Sequence, residues 1–476
     1  MTSHDLLVLG AGPAGAHAAM AAAECGLDVA IIDDSRTSGG QVYRAPPEDF
    51  EIPDDNALSP DFVEGQTLRQ AVDESDVHRV FGRQVWMVSP GFQVDTVGPN
   101  GPEQFQAPRL IAATGTYERV IPFPGWTKPG VIGLAASTIL LKCQHMLPGE
   151  RTVVAGVGPL VAAVAAGIVK GGGQLAAVVD LSGPSDWLKA LPALVLRPDL
   201  LMRGIGWLRQ VYTAGVPILY RHTVVSTEGE NSVNGVTVAP VTADWQPSDG
   251  HRRHFKADAL SIGHGLVPAT DISILLGAKH DFHAASGGWV PRRDDDFKTT
   301  VPGFSVVGDG GGIVGAAASG LQGRWAGLHT AHEIGRIDEA EFERRANDLG
   351  ARLSKARTFG AAMAAMMALR PGLAATINAD TVVCRCEDVT REDIMGALTA
   401  GARDVNQLKS WTRCGMGPCQ GRMCGEATAT LVASHVGGRK EAGIWTTRVP
   451  LRPLPIDVLT GDFSYHDIPK PAPAPA

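Results

Sequence analysis

The chain has 476 residues, enough for about three domains at the usual ~150 residues each and for a large buried core. Its net charge of -8 argues against nucleic acid or an anionic membrane surface as a partner. No apolar run reaches about 18 residues, and MTSHDLLVLG enters a strand with no basic leader. The expectation is therefore a chain with neither transmembrane helix nor signal peptide, in the cytoplasm, where clustered thiols stay reduced.

Residues Asp5 to Leu9 read as a short buried strand, followed at once by GAGPAG (Gly10, Gly12, Pro13, Ala14, Gly15) and an Ala-rich helix. The next strand, DVAII, ends in Asp33 and Asp34, about 20 residues after the turn. This is a dinucleotide fingerprint in its required context. Glycines permit the tight turn and let a pyrophosphate approach the helix N-terminus, and the acid accepts from ribose hydroxyls. Two later segments favour FAD over NAD. The string ATGTYERVIPFPGW around Thr114 and Gly115 resembles the crossing segment of two-dinucleotide-domain flavoproteins. VPGFSVVGDGGG ends a strand at Gly308 and Asp309 and leads into a helix over GIVGAAASGLQGR. By that resemblance Asp309 bonds the ribityl chain, the helix start at Gly310 to Gly312 faces the flavin ring, and GGQVYR, with Gly40 and Gln41, forms a turn near the flavin.

A second dinucleotide-like unit begins at RTVVAGVGPLVAAVAAG, where Gly156 and Gly158 fill the first two glycine positions and Val161 the third. Its second strand ends in Asp180, an acceptor for a 2′-hydroxyl. NAD(H), another adenine nucleotide and a purely structural role all stay open for this unit. The chain offers no CxxC, which excludes a dithiol reductase on this frame. Cys25 reads as packed and Cys143 as solitary. His145, His264 and the other histidines are scattered and read as structural.

The expected organisation is a flavin domain in two parts (1–120 and 286–333) around a nucleotide-like domain (121–285). A helical connector (334–377), a cysteine-rich unit (378–436) and a strap with a Pro-rich, disordered tail (437–476) follow. Five of the seven cysteines lie in the cysteine-rich unit. Cys384 and Cys386 form a C-x-C pair, Cys419 and Cys424 a C-x4-C pair, and Cys414 is a fifth candidate. Soft thiolates select iron-sulfur clusters, zinc or Cu(I). Structural zinc more often uses C-x2-4-C knuckles, and a 2Fe-2S cluster takes four thiolates, which leaves one cysteine spare; we set Cys414 aside.

The segment CRCEDVTREDIMGALTAGARDVNQLKSWTRCGMGPCQGRMCG resembles the bacterioferritin-associated-ferredoxin-like 2Fe-2S domain, in the variant fused to FAD-binding α subunits of opine and amino-acid (octopine, nopaline, hydroxyproline, sarcosine-type) dehydrogenases and oxidases. The resemblance runs over nearly the whole chain. It implies an α/β fold of the two-dinucleotide-binding-domain, glutathione-reductase-like type with a small helical 2Fe-2S domain at its C-terminal end. It implies Cys384, Cys386, Cys419 and Cys424 as cluster ligands, and in some members an FMN at the subunit interface. It also implies a partner β subunit similar to D-amino-acid oxidase, with its own flavin, that oxidises the substrate C–N bond, and it leaves room for a small third subunit. The electron acceptor stays unknown. Arg385, Arg391, Lys409, Arg413 and Arg422 lie close in sequence to the thiolates and are expected to offset cluster charge or to be solvated. The FAD subunit of hydrogen cyanide synthase and a self-sufficient NADH-dependent reductase share the same frame.

Overall fold

The structure, a computed structural model, describes residues 2–47, 50, 60–248 and 250–460; the Pro-rich tail expected to be disordered lies outside them. The chain opens with strand β1 (Leu6–Leu9), helix α1 (Pro13–Ala23) and strand β2 (Val29–Asp33), followed by helix α2 (Pro60–Asp73) and strand β3 (His78–Phe81). An antiparallel meander of β4 (Gln84–Ser89), β5 (Gln93–Gly98) and β6 (Gly101–Gln106) leads to β7 (Leu110–Ala112).

The second unit contains β8 (Val131–Gly133), α3 (Leu134–Cys143), β9 (Arg151–Gly156), α4 (Pro159–Lys170) and β10 (Gln174–Asp180). Two helices, α5 (Pro184–Leu194) and α6 (Pro198–Thr213), then precede β11 (Ile218–Tyr220) and, after a three-stranded insert, β12 (Ala259–Gly263). These strands form a parallel sheet in the order β8-β12-β9-β10-β11. The chain returns through β13 (Phe304–Val306) and α7 (Ala316–Glu333) to complete the first parallel sheet, β13-β7-β1-β2-β3. Thr116–Glu118 pairs antiparallel with Leu266–Pro268 where the chain crosses out and back. Ile272 and Ala278 pack with Leu7, Leu9 and Phe304 in the core of the first sheet. The return therefore precedes the 286 boundary expected from sequence.

Small residues bring α1 and α7 together. A Cβ at Gly323 would lie 1.9 Å from the Ala14 carbonyl oxygen, and one at Gly327 would lie 2.3 Å from that of Ala18. Only glycine allows such backbone contact, so the turn after β1 is held from behind by the helix that follows Asp309.

A short helix (Glu339–Ala346) and α8 (Leu349–Met366) form the connector, and a 3-10 turn (Pro371–Thr376) ends it. The cysteine-rich unit has a ribbon (Val382–Cys384 with Val389–Thr390) and helices α9 (Arg391–Ala400), α10 (Val405–Thr412) and α11 (Gly425–Val436). Thr390 and Asp393 close a capping box that fixes the start of α9. This unit is not tethered loosely. Val383, Cys384 and Ile394 share one apolar core with Ile121, Val157, Leu181 and Trp245 of the second dinucleotide unit, joined through Leu373 and Ile377.

Candidate flavin and thiol sites

A cavity of about 680 Å³ opens at the C-terminal ends of the first sheet, where an open α/β sheet binds its ligands. Gly10, Gly12, Pro13, Ala14, Asp33, Asp34, Gly40, Gln41, Thr114, Gly115 and Asp309 all line it. Gly15 and Gly308 serve this site from behind. A Cβ at Gly15 would stand 1.7 Å from the Gly10 oxygen, and one at Gly308 would stand 2.8 Å from the Ala14 Cβ. Gly10 itself has φ +102°, and its absent Cβ leaves room for the Ala113 carbonyl at 2.4 Å. Gly40 (φ +61°) rests on Gly12, and the Gly39 N–H donates to the Ala11 oxygen at 2.8 Å, so the second glycine turn sits on the first.

Asp33 ties these turns to the strand end. Its Oδ2 accepts from the Ala11 N–H at 2.5 Å and its Oδ1 from the Ser35 N–H at 2.7 Å. Burial pushes its carboxyl above the ordinary range, against those two bonds. Each oxygen keeps a second acceptor position for a ribose hydroxyl. Asp309 Oδ1 accepts from the N–H groups of Val314 and Gly315, each at 2.8 Å, and burial raises its carboxyl too. The helix after it starts at Ala316, later than the Gly310–Gly312 start read from sequence. Gly312 (φ +123°) and Gly315 (φ +82°) hold the chain in a conformation that no α-helix admits, and Gly308–Gly311 forms a 3-10 turn instead. Asp309 thus bonds the backbone just ahead of α7, and its Oδ2 has no hydrogen-bond partner among the described residues.

Sequence reasoning missed part of this cavity. Glu118, Lys142 and Cys143 line it. The Ala135 N–H at the start of α3 donates to Glu118 Oε1 at 3.1 Å, yet burial pushes the Glu118 carboxyl up to about 7. Cys143, read as solitary, is buried at the end of α3 with Sγ 3.5 Å from the Arg44 oxygen. Arg422, Leu451 and Arg452 also line the cavity from the far C-terminal part of the chain. No spacing rule relates them to residues 10–115.

The second dinucleotide turn is closed. At Gly158 (φ +92°) a Cβ would lie 2.5 Å from Met367 Sδ, so the end of the connector rests on the turn. Arg119 Nη1 donates to the Met367 oxygen at 3.4 Å. Asp180 is buried, pushed up to about 6 by that burial, and its Oδ1 already accepts from Ser182 N at 2.8 Å and Ser182 Oγ at 2.7 Å. His264 is buried with its imidazole pushed down to about 3, first by burial and then by Arg119. It is a neutral structural side chain.

The five clustered thiols fall into two groups. Cys384, Cys414 and Cys424 have sulfurs within 4.8 Å of one another. Cys386 and Cys419 are hydrogen-bonded neighbours on the more exposed side. Hydrogen bonds from Cys414 and Cys424 hold Cys384 down to about 2. Cys414 is fully buried, 3.9 Å from Cys424 Sγ and 3.2 Å from Thr428 Oγ1. The donor set fits a thiolate-held cluster: soft ligands gathered in an apolar core. Most of the nearby cations are committed elsewhere. Arg413 pairs with Glu387 at 2.8 Å, Arg391 bonds the Ile377 oxygen, Arg385 lies over Trp126 at 5.8 Å, and Arg422 reaches the flavin cavity. Burial, and after it Arg448, holds Lys409 below the ordinary lysine range, with Cys424 acting in the opposite sense.

Fold and site together define a two-dinucleotide-domain flavoprotein fused to a cysteine-rich helical unit. Residues 4–335 match the pyridine nucleotide-disulphide oxidoreductase family and residues 379–462 the sarcosine oxidase A3 domain. An opine oxidase subunit of Rhizobium meliloti (strain 1021) is 34% identical over 95% of this chain and 98% of its own length. Hydrogen cyanide synthase subunit HcnB of Pseudomonas protegens is 32% identical over 97% and 99%. L-Proline dehydrogenase from P. horikoshii shares the fold, with TM-score 0.68 at 19% identity over 96% of this chain and 79% of that one. The chain belongs to the pyridine nucleotide-disulphide oxidoreductase family, among the FAD-binding α subunits of opine- and sarcosine-type oxidases. It is a flavin-dependent oxidoreductase that acts as one subunit of a complex.

Proposed function

We propose that this chain is the electron-transfer α subunit of a heteromeric opine or amino-acid dehydrogenase whose partner, a D-amino-acid-oxidase-like β subunit with its own flavin, oxidises the substrate C–N bond. The observation that carries this reading is Met367 seated on the second glycine turn, in the place where a dinucleotide would approach that turn. In this reading electrons arrive from the partner subunit. When bound, FAD supplies two-electron exchange and a 2Fe-2S cluster supplies single-electron transfer.

The chain's own residues hold and orient these groups. The glycine turns admit a pyrophosphate, Asp33 accepts from ribose, and Asp309 with Thr114 fixes the ribityl side. Cys384, Cys386, Cys419 and Cys424 hold the cluster. Cys414 stays a thiol beside Cys424, and FMN belongs at the subunit interface if it is present. The test is co-expression with the β-type partner, followed by anaerobic dye reduction over a panel of opines, amino acids and glycine. Reduction confined to opines or substituted amino acids supports the reading. Reduction by glycine with cyanide release selects the hydrogen cyanide synthase alternative, which the HcnB relatives favour. Rapid NADH oxidation by the chain alone overturns both.

A further inference from the structure

We propose that the cysteine-rich unit completes the flavin site, with Arg422, Arg452 and Tyr117 forming a clamp on the adenosine diphosphate end of the dinucleotide. Flavin retention then depends on an intact thiol cluster. The inference rests on the cofactor reading above and assigns binding residues that the fingerprint does not contain.

Arg422 lies in the loop between Cys419 and Cys424, and its side chain is 14% exposed. Its Nη1 donates to the Cys419 oxygen at 3.3 Å and its Nη2 to the Leu451 oxygen at 2.9 Å, with Asp271 Oδ2 3.4 Å away. Its Nε is buried with no hydrogen-bond partner. The guanidinium stands 5.3 Å from the centre of the Tyr117 ring, and that of Arg452 stands 5.9 Å from the same ring. The Tyr117 hydroxyl donates to the Asp271 carboxylate. All four side chains line the flavin cavity.

The strap locates this group. Leu451 N–H donates to the Trp86 oxygen at 2.8 Å and Gln84 Nε2 to the Pro453 oxygen at 3.4 Å, so residues 451–453 run beside β4. Gln84 and Val85, at the start of β4, line the cavity together with Asp33 and Asp34, the ribose-accepting strand end. The strap therefore brings the clamp into the cavity that Gln84 and Val85 share with the Asp33 strand end. Two guanidiniums and a phenol ring suit a pyrophosphate and a purine face.

The coupling follows from chain geometry. Arg422 is two residues from Cys424 and bonded to the carbonyl of Cys419, so the two thiolates that would hold the cluster also hold the loop that aims the guanidinium. Emptying the thiol site removes both anchors at once.

The test measures FAD release, read as the rise of flavin fluorescence on dilution, with iron and sulfide assayed in every sample. The full chain is used as wild type, R422A, R422K and R452A, each before and after cluster removal by chelator under reductant. R422A at full iron content should release FAD about tenfold faster, with R422K in between because an ammonium keeps charge and loses the fork. Cluster removal should speed release from wild type by a similar factor and add little to R422A. Unchanged release in R422A and R422K at full flavin loading overturns the clamp. Additive effects of R422A and cluster removal overturn the coupling while leaving the clamp. Protein that binds FAD but holds neither iron nor sulfide overturns the cluster reading itself, and the coupling falls with it.

Discussion

Glu118 is an acid of the flavin cavity held well above the ordinary carboxylate range, because burial outweighs the two backbone N–H groups of α3 that face it. Its folded pKa of about 7 stands above the ordinary 4.5, so the folded chain prefers the protonated form. Stability from this group is complete below about pH 4.5 and is lost as pH rises through 7, by up to about 3 kcal/mol. E118Q removes the titration, so the melting temperature of wild type should fall relative to E118Q between about pH 5 and 8. Parallel curves would falsify the assignment. Cys414 gives a second residue-scale expectation. Its S–H aims at Cys424 Sγ at 3.9 Å, and a hydrogen bond to a ligand sulfur raises a cluster's potential. C414A should keep two irons and two sulfides per chain, roughly the four-thiolate stoichiometry, with a lower midpoint potential in a dye-mediated titration. Loss of iron in C414A would make Cys414 a ligand. The thiols were legible because five soft ligands in one short stretch have few other uses. Arg422 was not, because its partners Tyr117 and Leu451 are brought to it only by tertiary packing.

Among elements, the first βαβ turn could be read almost to the residue, since strand, glycines and terminal acid each follow from backbone sterics. The helix after Asp309 was placed too early. GIVG looks like a helix start in composition, but positive φ at Gly312 and Gly315 delays it to Ala316. Asp309 therefore holds the backbone ahead of α7 and, in the proposed cofactor site, would also serve the ribityl side. D309A should lose FAD affinity by about ten- to a hundredfold and destabilise α7, whereas D309N, which keeps the Oδ1 acceptor, should retain most of the stability and lose chiefly affinity. Isothermal titration with FAD and a thermal melt of the apoprotein separate the two. The second glycine turn was legible as a turn, with Val161 buried where a third glycine would stand. Its closure was not legible, because Met367 reaches Gly158 from about 200 residues away. NADH should leave the flavin absorption of the isolated chain unchanged in a stopped-flow trace. Fast bleaching would show that the connector swings clear.

At the scale of the molecule, the Met-rich connector and the C-terminal strap are two candidate surfaces for a partner. The fold takes up part of each internally. Met363 and Met366 are buried against Ala190 and Leu194, and Leu451 is buried in the core of the first sheet. Ile456 of the strap stays 80% exposed, and exposed apolar side chains gather on α5, α6 and the turn between them, where Leu188, Val195, Met202 and Tyr212 are between 61% and 78% exposed. Met202, Ile205 and Tyr212 fall on one stripe of α6, three and seven residues apart, the spacing of a helix face. A subunit that works only in a complex has reason to carry such a face, and an obligate interface buries more than about 2,000 Å² in total. Hydrogen exchange across α5 and α6 should slow when the β-type partner is co-expressed. M202E and Y212E should weaken the complex on size exclusion while leaving flavin and iron content at wild-type levels. Substrate-dependent dye reduction should fall in parallel with assembly. Exchange on these helices that is identical with and without the partner, in a complex that otherwise assembles and turns over, would place the subunit contact elsewhere on the molecule.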